Sequence, residues 1–245
     1  MAAKSSGGKG RARAASTRPT LFYVVLGAIA LAGVSGLAYV ALRPTTPAVT
    51  PPSQLPANLA DAGPAQPYVL GSRGAPAQIL EFADFECPAC GNFATITEPD
   101  VRTRIIEAGL ASFAYYDFPL PQHRNSYPAS HAAACADEQG RFWEMHDRIY
   151  ATQDRWTTEA TANPKPVFRD IAQTIGLDVR RWESCYDTRK YQQRIDANAA
   201  EGVRRGINTT PTFIINGSAH PGSMSYDELK AQVDAAARSR TDTGR

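Results

Sequence analysis

The longest uninterrupted hydrophobic pattern in the chain is residues 21–42 (LFYVVLGAIALAGVSGLAYVAL), which carry no charge and are broken only by Gly27, Gly33, Ser35 and Gly36. A helix of that length rises about 33 Å, enough to cross a hydrocarbon core. Beyond it the pattern changes. Residues 43–67 hold seven prolines and two charges, a composition that reads as an extended tether. From residue 68 to 245 apolar and polar positions alternate in ways that specify one folded unit. Residues 78–85 (QILEFADF) predict a buried strand running into Cys87-Pro88-Ala89-Cys90. A helix follows, with a kink expected at Pro99 and an end at Gly109. Residues 111–118 (ASFAYYDF) predict a second strand, and a helical block runs from about Tyr127 to Arg205. Within that block, Pro166 near a first turn and Gly176 past a last one bound a helix, and Asp178 is placed as the next N-cap. Thr212–Ile215 form a strand, Asn216-Gly217 a hairpin turn, and Ser225 with Glu228 a capping box that opens a final helix to about Ala237.

Charge gives the apolar run a direction. Lys4, Lys9, Arg11, Arg13 and Arg18 precede it with no acid among residues 1–20, and only Arg43 follows closely. The positive-inside rule then keeps 1–20 in the cytoplasm as a basic tail, makes 21–42 a single-pass signal anchor, and exports the rest to the periplasm or outer face of the cell membrane. The competing reading is a cleaved signal peptide with Gly36 and Ala38 before the cut, although 22 residues exceeds the usual apolar core of about 7–15. The remaining composition is ordinary. With 43% hydrophobic residues and a net charge of +2, the chain is neither disordered nor a nucleic-acid binder held by bulk charge.

All four cysteines (87, 90, 135 and 185) fall in the exported part, where two pairs are expected. Three pairings are possible, and Cys87 and Cys90 alone are close enough to pair locally. A strand that ends in Cys-x-x-Cys and opens a helix places its first thiol at unpaired N–H groups and the positive end of the helix dipole. That arrangement lowers a thiol pKa from about 8.5 into the range of roughly 3.5–7.5 and makes a reactive thiolate. A zinc half-site or an inert disulfide would use the same residues. Zinc needs two further ligands at close spacing, which Cys135 and Cys185 do not offer. No cofactor or metal is expected.

EFADFECPAC, SHAAACADEQGRFWEMHD and TTPTFIING, in that order, closely resemble membrane-anchored oxidoreductases of the DsbA-like group. The resemblance covers nearly all of 68–245. It implies an α/β, thioredoxin-like fold with a helical domain, about 122–205, inserted between its two halves. By the same resemblance Cys87 is the exposed nucleophile and Cys90 the buried resolving thiol of a redox-active disulfide. Pro211 matches the cis-proline of the substrate loop, with Thr210 before it, and Glu81 matches a buried acid behind the active site. Family members of this kind often carry a second bridge, which makes Cys135–Cys185 the expected structural disulfide, against two buried free thiols.

Read from the residues alone, Glu81 is either a solvent-facing carboxylate on an alternating strand or a desolvated group that takes the proton of Cys90. Asp84 and Glu86 read as rim charges. His123, His131 and His146 read as packing or capping residues, and Trp143, Trp156 and Trp182 as core or groove. One departure from the family is the Pro-Ala dipeptide between the cysteines, where strongly oxidising members often have Pro-His. The function that follows is introduction of disulfides into exported proteins with free cysteines, an aid to their folding, with reoxidation by a quinone-linked membrane partner of the DsbB or VKOR-like kind. A reductase or isomerase with the same cysteines, and a non-enzymatic chaperone or metallochaperone module, are the alternatives.

Overall fold

The computed structural model describes residues 18–41 and 59–243. The chain divides into two units, residues 1–46 and 47–245. The first contains helix α1 (Arg18–Ala41), over the segment expected to span a membrane, and the side chains of 22–35 are exposed. Among the described residues, no helix is long and apolar enough to cross a membrane. The basic tail up to residue 17 and the first five prolines of the tether lie outside the described residues.

The second unit is built on a five-stranded mixed sheet in the order β1-β3-β2-β4-β5. Its strands are β1 (Tyr68–Leu70), β2 (Ala77–Ala83), β3 (Ala111–Asp117), β4 (Thr212–Ile215) and β5 (Ser218–Pro221). The β2–β3 pair is parallel and every other pair antiparallel. A parallel pair needs a crossover, and the helical run from Pro88 to Ile106 supplies it. That run is α-helical over α2 (Pro88–Asn92) and α3 (Glu98–Val101), with π-helical turns at Phe93–Thr97 and Arg102–Ile106. The expected kink at Pro99 therefore takes the form of a widened turn, in which Glu98 N–H reaches back to Phe93 O before the proline withdraws its own donor.

Six helices separate β3 from β4: α4 (Ser126–Asp137), α5 (Phe142–Tyr150), α6 (Gln153–Trp156), α7 (Lys165–Thr174), α8 (Val179–Asp187) and α9 (Gln192–Arg204). The fold is thioredoxin-like, interrupted by this helical insertion. Asp178 caps α8 through a 3.1 Å bond from Arg181 N–H, Ser225 and Glu228 form the reciprocal capping box of α10 (Tyr226–Thr243), and Asn216 and Gly217 take the positive φ values of their turn.

Strand periodicity sorts the core onto two faces. Ile79, Phe113, Tyr115, Phe213 and Ile215 face the crossover helix and the insertion. Phe82, Phe118 and Ile214 face α9. There a Cβ on Gly202 would sit 2.5 Å from the Phe118 ring, so glycine is what lets α9 close on the sheet.

One boundary needs correction. The tether was expected to reach residue 67, yet Leu59–Ala62 form a short 3-10 helix packed on α9. Ala62 is buried against Ala197 and Ala200, Arg204 holds Leu59 O, and Gln66 N–H bonds Asn198 Oδ1 at 2.8 Å. Small residues on α9 leave room for this docking, which the proline count alone did not show.

Candidate active site

Cys87 ends the loop after β2 and is the N-cap residue of α2, with Pro88 in the first turn. Its N–H bonds Asp84 O at 3.0 Å and its carbonyl accepts from Gly91 N–H. Its thiol donates to the carbonyl of Thr210 at 3.4 Å, and the Thr210–Pro211 peptide bond is cis. Residues 123 positions apart thus meet at one sulfur. Cys87 and Cys90 are both free thiols.

The two thiols differ sharply. Cys87 has its pKa lowered to about 6, chiefly by a hydrogen bond from the Cys90 thiol, then by the Thr210 side chain and the N–H groups of Cys90 and Ala89, with burial opposing them. Cys90 is completely enclosed, and burial first, then the bond it gives to Cys87 and the neighbouring charges of Cys87 and Glu81, push its pKa well up. One thiol is therefore a thiolate near neutrality and the other stays protonated. Cys87 is less open than the resemblance implied, only 7% exposed, because the Thr210 loop roofs it.

Glu81 lies on the inner face of β2, paired with Tyr115 and Phe213 across the strands, and is buried. Burial raises its pKa well above the ordinary carboxyl value, and the nearby Glu98 carboxylate adds to the rise. The solvent-facing alternative for Glu81 does not hold.

Asp84 and Glu86 are not rim charges. Both are buried. Asp84 accepts from Glu86 N–H and Leu120 N–H, each at 2.7 Å, and its Oδ2 lies 2.7 Å from His123 Nδ1. Glu86 accepts from Asn125 N–H at 2.8 Å and from Thr158 N–H. Carboxylates survive burial when backbone donors saturate them, and here they tie the cysteine loop to the start of the insertion. His123 consequently serves as the Asp84 partner, its pKa raised by that hydrogen bond. His131, buried on α4, has its pKa lowered to about 4 by burial.

Sequence reasoning missed Gln153, whose amide donates to Phe85 O at 2.7 Å and Cys87 O at 3.1 Å and so pins the reactive loop from α6. It also missed Glu98, whose carboxylate is buried and clamped by Arg102 at 2.6 Å. No sequence signal marks either one, since their meaning lies in contacts between distant elements. Cys135 and Cys185 are joined in a disulfide between α4 and α8, and Trp182, in the same buried cluster, donates its N–H to Ala132 O. Among the described residues no group of three or more His, Cys, Asp or Glu could hold a metal ion.

A Cys-x-x-Cys at the N-terminus of α2, a facing cis-proline loop and a helical insertion define a thioredoxin-fold protein of DsbA-like architecture. The family model described as thioredoxin matches residues 64–235, and the chain belongs to that family. The fold is similar to α-DsbA1 of Wolbachia pipientis, with a TM-score of 0.65 and 19% identity over 74% of this chain and 95% of that one. It is likewise similar to oxidised BdbD of Bacillus subtilis, with a TM-score of 0.63 and 21% identity over 71% and 97% of the two chains. A segment of 186 residues is 34% identical to the Na(+)/H(+) antiporter NhaA 3 of Salinispora tropica, covering 74% of this chain and 27% of that protein. The chain thus spans roughly a quarter of that relative's length.

Proposed function

We propose that the protein is a thiol–disulfide oxidoreductase that introduces disulfides into exported proteins. The observation that carries the reading is the division of labour between two adjacent thiols, Cys87 held at about 6 and Cys90 held well up. A substrate thiolate attacks Sγ of Cys87 in the oxidised enzyme, and Cys90 leaves with the electron pair of the broken S–S bond. A second substrate thiolate then attacks the mixed disulfide and releases Cys87 as a thiolate. A stabilised Cys87 thiolate stabilises the reduced enzyme and makes its disulfide the better oxidant. Glu81, protonated in its buried site, supplies the proton that Cys90 takes up, and Thr210 and Pro211 present backbone to an extended substrate.

The location is part of the proposal. The uncharged run 21–42, the basic tail before it and the Cys135–Cys185 disulfide support a membrane-anchored protein whose catalytic domain lies outside the cytoplasm. A tether of this kind raises the effective concentration of the active site near a membrane partner. A quinone-linked oxidant of the DsbB or VKOR-like kind is the partner of matching chemistry.

Direction is tested with the full-length protein in detergent. Its Cys87–Cys90 potential should lie clearly above that of thioredoxin, about −270 mV, and below the strongest oxidants near −120 mV. Cys90→Ala should accumulate mixed disulfides with exported proteins in cells. A potential at the thioredoxin value, with no trapped species, supports a reductase instead.

A further inference from the structure

Once Glu81 has given its proton to Cys90, it is a carboxylate enclosed by protein and must be reprotonated before the next turnover. Glu81 Oε2 is buried without a hydrogen-bond partner, and so is Glu98 Oε2. That oxygen of Glu98 faces His146 Nε2 at 3.9 Å, and the nitrogen is also buried and without a hydrogen bond. On its other side His146 Nδ1 meets Asp147 Oδ1 at 2.9 Å, and the Asp147 side chain is 50% exposed. Arg102 braces the row, bonding Glu98 through one edge and both oxygens of Asp147 through the other while stacked over Trp143. Rings of Phe85, Tyr115, Phe142, Trp143 and Tyr150 wall the imidazole, which keeps the row apart from bulk water.

From this row of unpartnered buried polar atoms ending at solvent, we infer that Glu98 and His146 carry protons between Glu81 and the surface at Asp147. The inference rests on the exchange reading above. Proton and electron balance are simple. The substrate thiolate supplies the electron pair that breaks the Cys87–Cys90 bond, and the Cys90 thiolate takes the Glu81 proton. His146, protonated from solvent at Asp147, passes its Nε2 proton to Glu98, and Glu98, the carboxylate whose charge Glu81 feels, passes it on to Glu81 through intervening water. Reoxidation of the enzyme runs the same path outward. The device explains why α5 of the insertion sends a histidine into the core against Glu98. The groups that face the row are Glu81 on β2, Cys90 on α2, Arg102 in the second π turn, Asp147 and Tyr150 on α5 and Tyr115 on β3. Glu98 and His146 are positioning residues in this scheme, since they act through Glu81.

The test is stopped-flow reoxidation of the reduced full-length protein by glutathione disulfide between pH 5 and 9, for wild type, Glu98→Gln and His146→Asn, with reduction by dithiothreitol followed alongside. In reoxidation Glu81 must release its proton along the path before it can take that of Cys90. Each variant should be slowed at least about tenfold above neutrality, a threshold set below the roughly 10²–10⁴-fold that a positioned acid–base group contributes, while the pH midpoint for Cys87 alkylation stays at the wild-type value. Rate profiles that superimpose on wild type would overturn the inference. Should the variants fail to fold, wild type in H2O–D2O mixtures answers the same question: a bowed rate dependence shows several protons in transit, and a linear one contradicts the path. If the wild-type Cys87–Cys90 bond is reduced no faster than Cys135–Cys185, the exchange reading itself fails. If it is reduced fast with unchanged variant profiles, the proton path alone fails.

Discussion

Asp84 Oδ2 lies 2.7 Å from His123 Nδ1, and the same carboxylate caps the turn that delivers Cys87. The imidazole absent from between the cysteines is thus present one loop away, engaged with the residue that shapes their turn. Its pKa is raised by that bond. The contribution of a raised histidine is fully present below its unfolded value, about 6.5, and is lost as pH rises through the folded value. His123→Ala should therefore cost about 1–2 kcal/mol at pH 6 and much less at pH 9, read from urea midpoints at both. Equal losses at the two pH values would contradict the ion pair.

Glu86 should be structurally essential even though it never touches the sulfurs. Glu86→Ala leaves the Asn125 and Thr158 N–H groups without their acceptor, and each such loss costs about 1–3 kcal/mol. Urea unfolding should show the sum, with Glu86→Asp recovering little because the shorter side chain cannot reach both donors.

Asp117 predicts a second pH slope, on the acid side of neutrality. It is buried on β3, held by Asn198 Nδ2 at 3.0 Å, and burial raises its pKa to about 6. The native state then binds more protons than the unfolded one, so stability is greatest below about pH 4 at this group and declines as pH rises to about 6. The decline amounts to about 3 kcal/mol by the conversion of about 1.4 kcal/mol per pKa unit. Asp117→Asn should flatten that part of the stability profile, and an unchanged slope would place the titration elsewhere.

Removing the Cys135–Cys185 bond, whose cysteines lie 50 positions apart, should lower stability by about 4 kcal/mol in the chain-entropy picture. The double alanine variant measured in denaturant checks this, and its Cys87–Cys90 potential should stay at the wild-type value because the bridge joins α4 to α8 and neither helix carries a redox cysteine.

What the chain disclosed in advance was what depends on neighbours in sequence. The Cys-x-x-Cys at a strand-to-helix junction, the Asp178 cap, the Ser225–Glu228 box and the Asn216-Gly217 turn are all written within a few residues. Three-residue β1 escapes sequence reading because Tyr68–Leu70 become a strand only through antiparallel pairing with β3. Asp84 and Glu86 differ from their sequence reading for a related reason. A carboxylate in a polar loop looks solvated until its donors are known, Leu120 N–H for Asp84 and the N–H groups of Asn125 and Thr158 for Glu86. Glu98 and His146 belong to the same class, brought together by two π turns and an inserted helix that no periodicity encodes.

Exchange chemistry at this site requires Cys87 to be a thiolate near neutral pH, and one titration addresses that directly. The reduced full-length protein is alkylated with iodoacetamide across pH 4 to 10, and Cys87 modification is followed by mass. The predicted midpoint is about 6, with Cys90 unreactive throughout that range. A Cys87 midpoint near the unperturbed thiol value of about 8.5 would contradict the account.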